Sequence, residues 1–221
     1  MGDDMRSRFD RQLSLLNRKM TEMGGECESI IASAVKALLA GSAEDARRAR
    51  EQGHRIDQLE REIESICLKL LLQQQPVARD LRVISAALKM ITDMERIGDQ
   101  AEDIAEIITT LGGRTGAECA DIRVMAEATI KMVTDSVDAY VRQDLPLAQS
   151  VDEYDDVVDD AFCRVKNTLI AMIAQNTAEG EYALDLLMIA KYFERIGDHA
   201  VNIAEWVEFL RTGRYHHENM F

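Results

Sequence analysis

The segment ERIGDQAEDIAE at 95–106 returns 99 residues later as ERIGDHAVNIAE at 194–205, with nine of twelve positions identical. A repeat at that spacing means that whatever the first half folds into, the second half is built to fold into again. An upstream echo agrees: Arg55-Ile56-Asp57 resembles Val157-Val158-Asp159 at an offset of 102. Between glycines the chain runs in long stretches of Ala, Leu, Glu, Arg, Met and Ile, which favour helix, and no alternating β-branched run suggests a sheet. Ser42 with Asp45 reads as a capping start for a second helix that ends at Gln75-Pro76. A third helix is expected over 78–111, a fourth over 117–142, a fifth from Asp144-Leu145-Pro146 to about Asn176, and a sixth over 179–211. The expected fold is all-α, two three-helix units spanning 1–113 and 114–221.

On the third helix Met90, Met94, Ile97, Ala101, Ile104, Ile108 and Leu111 share one stripe. The sixth repeats it with Ile189, Phe193, Ile196, Ala200, Ile203, Val207 and Leu210. These stripes are the expected bundle seams. Glu95, Asp99 and Asp103, spaced i, i+4, i+8, form an acidic ladder roughly opposite the seam, and Glu194, Asp198 and Asn202 form its counterpart. A solvated face could carry such residues, with Arg96 pairing to Asp99 and Arg195 to Asp198, for a few tenths of a kcal/mol each. Polarity alone, however, does not require that acid type, spacing and the adjacent Gly98 and Gly197 all recur. A bound cation does account for the recurrence, because oxygen ligands one turn apart suit a hard or borderline metal whose charge cancels their repulsion. A second helix must complete the shell. Asp155 and Asp159 offer an i, i+4 pair in the second copy, whereas the first retains only Asp57, with Gly53 in the other place and His54 beside it. The second site is therefore expected to bind more tightly.

Net charge −14 argues against a nucleic-acid partner and against an anionic membrane surface, and no apolar run reaches membrane-spanning length. No signal peptide opens the chain. Cys27, Cys67, Cys119 and Cys163 are too scattered for a thiolate metal site and read as buried free thiols in a reducing cytosol. There is no P-loop, no GxSxG and no nucleophile constellation. A ferritin-type di-iron site would need two ExxH motifs, and only Glu51-Gln-Gly-His54 approximates one. His216-His217 reads as a solvated tail.

Two copies of ERIGD followed by (Asp/Asn)-Ile-Ala-Glu, with QQPVARDLR at 74–82, resemble the PhoU family of phosphate-signalling regulators over nearly the whole chain. The resemblance implies two pseudo-symmetric three-helix bundles carrying surface multinuclear clusters of iron or zinc on E/DxxxD ladders. It assigns ligand roles to Asp57, Glu95, Asp99 and Asp103 in the first copy, and to Asp155, Asp159, Glu194, Asp198 and Asn202 in the second. The chain departs from the pattern at Gly53 and at Glu179-Gly180-Glu181, opposite Asp80-Leu81-Arg82. The resemblance further implies a non-enzymatic, cytoplasmic negative regulator of the phosphate regulon. Its partners would be the phosphate transporter ATPase subunit and the sensor histidine kinase, and it would be a homodimer. The alternative is a metal-free helical adaptor docking basic partners through acidic stripes.

Overall fold

The computed structural model describes residues 2–74, 78–117, 119–215 and 218–219. It contains six long helices: α1 (Gly2–Ala40), α2 (Ala43–Gln74), α3 (Ala78–Thr110), α4 (Asp121–Arg142), α5 (Leu145–Gln175) and α6 (Gly180–Thr212), with a 3₁₀ turn at Thr177–Glu179. The break at Gln75-Pro76 and the His216-His217 tail lie outside the described residues. Ser42 caps α2 by accepting from the Asp45 backbone N–H at 3.1 Å, and Asp144 caps α5 by accepting from Leu147 at 3.1 Å, with Pro146 in the first turn. Gly213, at φ 74°, closes α6.

α1, α2 and α3 pack on one another, as do α4, α5 and α6. The two sets meet through α3 against α6 and α1 against α4, so α2 and α5 lie on opposite flanks. Every residue of both expected seams is buried, the α3 stripe at no more than 5% exposure and the α6 stripe at no more than 8%. The 3.6-residue period was therefore sufficient to identify the core of each central helix.

Three expectations need correction. Cys27, Cys67 and Cys119 are buried, but Cys163 is exposed on α5. Burial pushes the Cys67 thiol up to about 12, which makes it inert at neutral pH. The fourth helix begins at Asp121 rather than near 117. The preceding segment is held by the second copy: the Gly116 N–H donates to Tyr182 Oη at 3.0 Å, and the Arg114 guanidinium lies 3.3 Å over the Tyr182 ring and 2.5 Å from Glu179. Finally, Arg214–Tyr215 pairs antiparallel with Glu218–Asn219, a two-residue ladder beside the helices. It forms where the left-handed Gly213 reverses the chain and Tyr215 stacks on Trp206 at 4.0 Å between ring centroids.

α1 runs unbroken through Gly24-Gly25. A Cβ at Gly24 would lie 2.7 Å from Val137 Cγ1, so this glycine sets how closely α1 approaches α4. Gly24→Ala is expected to cost on the order of 1 kcal/mol net, overpacking outweighing the roughly 1 kcal/mol gain in helix propensity. Adding Val137→Ala should recover part of that loss in a denaturant titration. A stabilising Gly24→Ala single variant would contradict the contact.

Candidate metal centre

The glycines of the two ERIGD copies bring each outer helix against its central one. A Cβ at Gly98 would lie 2.9 Å from Ile56 Cδ1 of α2. A Cβ at Gly197 would lie 3.0 Å from Asp155 Oδ1 and 3.7 Å from Val158 Cγ1 of α5. Two acidic clusters result, one on each flank.

On the first flank Glu95 and Asp99 of α3 face Asp57 of α2. Glu95 is raised above the ordinary carboxylate range by burial, then by Asp99, with Glu60 and Asp57 adding to it. Glu60 is raised by burial, then by Glu64 and Asp57. Glu102 is raised by burial, then by Asp57 and Asp99. Arg96 relieves part of this charge, 3.0 Å from Asp99 Oδ2 and 3.4 Å from Glu95 Oε2. Glu60 and Glu102 are thus members that ladder spacing missed, although each lies three residues after an assigned acid, at Asp57 and Asp99.

On the second flank Asp155 is pushed up to about 6 by burial, then by Asp159, Asp198, Asp152 and Glu194. Asp198 is raised by burial, then by Glu194, with Asp159 adding to it. Lys191 pairs with Glu194. Asp152 joins this cluster as a further member, three residues before Asp155.

The third rung of each ladder is engaged elsewhere. Asp103 accepts a hydrogen bond from the Tyr192 hydroxyl of α6. Asn202 Nδ2 donates to Asp93 Oδ1 of α3 at 3.0 Å, and His199 Nδ1 lies 2.9 Å from the same oxygen. Asp93 and Tyr192 are themselves 99 residues apart, so this pair of contacts is a repeat-related clasp between the halves. Helical rotation explains it: at about 100° per residue, position i+8 has turned about 80° away from i. The ladder therefore starts facing the outer helix and ends facing the other copy. Asp103 and Asn202 thus make inter-repeat contacts in addition to holding the third place on each ladder.

The donor set suits a hard or borderline cation: carboxylates from two helices, crowded enough to hold protons above their usual range. Gly197 leaves the room that Asp155 occupies. Among the described residues no three His, Cys, Asp or Glu side chains already converge on one ion. No helix is long and apolar enough to cross a membrane among the described residues.

Comparison with known proteins agrees with this architecture. The family model for the PhoU domain matches twice, over residues 20–108 and 122–207. A phosphate-specific transport system accessory protein PhoU homolog from Pseudomonas aeruginosa is 34% identical over 207 residues, covering 93% of this chain and 86% of the relative. A PhoU homolog from Thermotoga maritima is 31% identical over 208 residues, 93% of this chain and 90% of the relative. The crystal structure of PhoU from P. aeruginosa superposes with a TM-score of 0.87 at 33% identity, covering 93% of this chain and all of that one. PhoU from Streptococcus pneumoniae shares the fold with a TM-score of 0.85 at 24% identity, over 93% of this chain and 98% of that one. With two copies of the domain, the same six-helix fold and full-length relatives, the chain belongs to the PhoU family of phosphate-transport accessory proteins.

Proposed function

We propose that this chain is a non-enzymatic, cytoplasmic regulator that restrains phosphate uptake and phosphate-responsive gene expression by contacting the ATPase subunit of the phosphate transporter and the sensor histidine kinase. The observation that carries the reading is the pair of acidic clusters at repeat-related places on a family fold. In this reading the clusters hold divalent cations, iron or zinc, and more than one ion per cluster is allowed by the number of carboxylates. Asp57, Glu95 and Asp99 would hold the first, and Asp155, Asp159, Glu194 and Asp198 the second. The bound cation supplies positive charge that cancels carboxylate repulsion and ties each outer helix to its central one. Asp103 and Asn202, at the rim of each cluster, couple it to the clasp between the repeats. The protein acts as a homodimer in this account.

The test is co-purification with each proposed partner, the chain being metal-loaded or treated with chelator. Capture of both partners by the metal-loaded form supports the reading, as does weaker capture after chelation. Capture of neither partner, together with reproducible turnover of a small substrate, contradicts it.

A second reading is a metal-free adaptor whose acidic flanks dock basic partners. The pairing of Arg96 with Glu95 and Asp99 favours it, since a protein cation already offsets some of that charge. In that case chelation leaves capture unchanged, while raised salt abolishes it.

A further inference from the structure

The repeats are built alike where α1 meets α4, except for an exchange that leaves a cavity. The second half of α1 corresponds to the part of α4 that lies 102 positions later. Gly41 and Gln143 end the two helices in left-handed conformations, at φ 60° and 52°. Their N–H groups donate to Leu38 O at 3.0 Å and to Tyr140 O at 3.2 Å. The next N–H groups, of Ser42 and Asp144, donate to Ala37 O at 3.0 Å and to Ala139 O at 2.9 Å. At this offset the tight approach of Gly24 to Val137 has its counterpart in Ala126 and Val35, and both of these line a cavity of about 430 Å³.

On the Gly24–Val137 side Tyr140 fills the contact. It is 4% exposed, and its hydroxyl donates to Asn17 Oδ1 at 3.1 Å. The counterparts of Tyr140 and Asn17 are Leu38 and Cys119, which both line the cavity. Leucine has no ring to place there, so the volume that a tyrosine side chain takes in one repeat stays open in the other. A second exchange accompanies the first. The counterpart of Thr21 is Arg123, an exposed cation in the cavity wall. Ala120 also lines the cavity, at the start of α4, and no side chain caps that helix end. The guanidinium and the positive end of the helix dipole both favour an anion.

We propose that this cavity binds a small aromatic carboxylate, its ring taking the place that Tyr140 fills in the other repeat and its carboxylate meeting Arg123. The volume suits such a ligand, since about 150 Å³ lined by aliphatic and aromatic side chains is enough for one benzene ring, and ligand pockets run upward from about 300 Å³. Phe193 of α6 adds an aromatic contact from the wall. α1, α4 and α6 all border the site, so the ligand spans the junction between the copies, independently of the acidic clusters.

The experiment titrates the full chain, treated with chelator, with phenylacetate and with its uncharged amide, phenylacetamide, by calorimetry. Phenylacetate is expected to bind at one equivalent with a Kd of about 1 mM or tighter, the range open to a ligand of this size. Phenylacetamide should bind about tenfold more weakly, because it forgoes the charge-assisted contact. Arg123→Gln, at an exposed position, should erase that preference. Leu38→Tyr supplies the missing ring from the chain itself and should abolish binding without lowering the thermal midpoint. No saturable binding of phenylacetate to the unmodified chain overturns the proposal, and so does undiminished binding to a folded Leu38→Tyr variant. Should Leu38→Tyr fail to fold, Arg123→Gln decides alone, and a preference for phenylacetate that survives it overturns the assignment. Self-association of the unmodified chain that Leu38→Tyr abolishes, with no phenylacetate bound, gives the cavity to a second copy and also overturns it.

Discussion

Saturating a metal-free preparation with Zn²⁺ or Fe²⁺ is expected to raise its thermal midpoint by roughly 8–16 °C. A cation at about a thousand times its dissociation constant adds about 4 kcal/mol to a state that alone binds it, and each kcal/mol moves Tm by roughly 2–4 °C in a chain of this size. The variant Asp155→Asn with Asp198→Asn should behave in the opposite sense on each side of that comparison. Without metal it should be more stable than the unmodified chain, because Asp155 and Asp198 repel each other and Glu194. With metal it should lose the second cluster's share of the gain. The pH dependence follows the same logic. Asp155 rises from 3.8 to about 6 on folding, so its contribution to stability is fully present below 3.8 and lost as pH rises through about 6. The metal-free chain should thus gain stability from this group on mild acidification. Metal affinity should fall over the same window, because protons compete for the ligand. Differential scanning calorimetry at pH 5 and 7.5, with and without chelator, measures all of these. A double variant less stable than the unmodified chain in the metal-free state would contradict the crowding on which the reading depends.

Phe193→Ala should cost about 3–5 kcal/mol, lowering Tm by roughly 6–20 °C. Phe193 is fully buried in the α6 seam. It borders an apolar cavity of about 430 Å³ that is also lined by Val35 and Leu38 of α1, Cys119, and Ile122 and Ala126 of α4. The side chain therefore contacts the junction where the copies meet, and its removal enlarges a space that the surrounding helices already fail to fill. Phe193→Leu should cost less, since it keeps most of the apolar contact. A loss under about 1 kcal/mol for the alanine variant would show that the junction collapses to fill the gap.

The seams and helix caps were legible in the sequence because they depend on local periodicity and on side chains reaching backbone groups within one turn. Met90 through Leu111 and Ser42 with Asp45 are cases of each. Less legible was anything fixed by partners far along the chain. The segment before α4 is held by Glu179, 65 residues from Arg114, and by Tyr182, 66 residues from Gly116. The acidic ladders were visible as ladders, but a list of i, i+4 positions does not reveal that the third rung has rotated onto the neighbouring repeat, where Tyr192 and Asp93 take it up. Nor does it show that Glu102 lies over Gly53, since the two residues are on different helices and only their packing brings them together.

The central claim is that the two acidic flanks hold metal. Its most direct test is the elemental content of the chain purified without an affinity tag and without added metal, beside Asp99→Asn and Asp198→Asn variants purified identically. The account predicts iron or zinc at or above stoichiometry in the unmodified chain, falling in each variant by the share of its own cluster. A folded unmodified chain with no stoichiometric metal would contradict it.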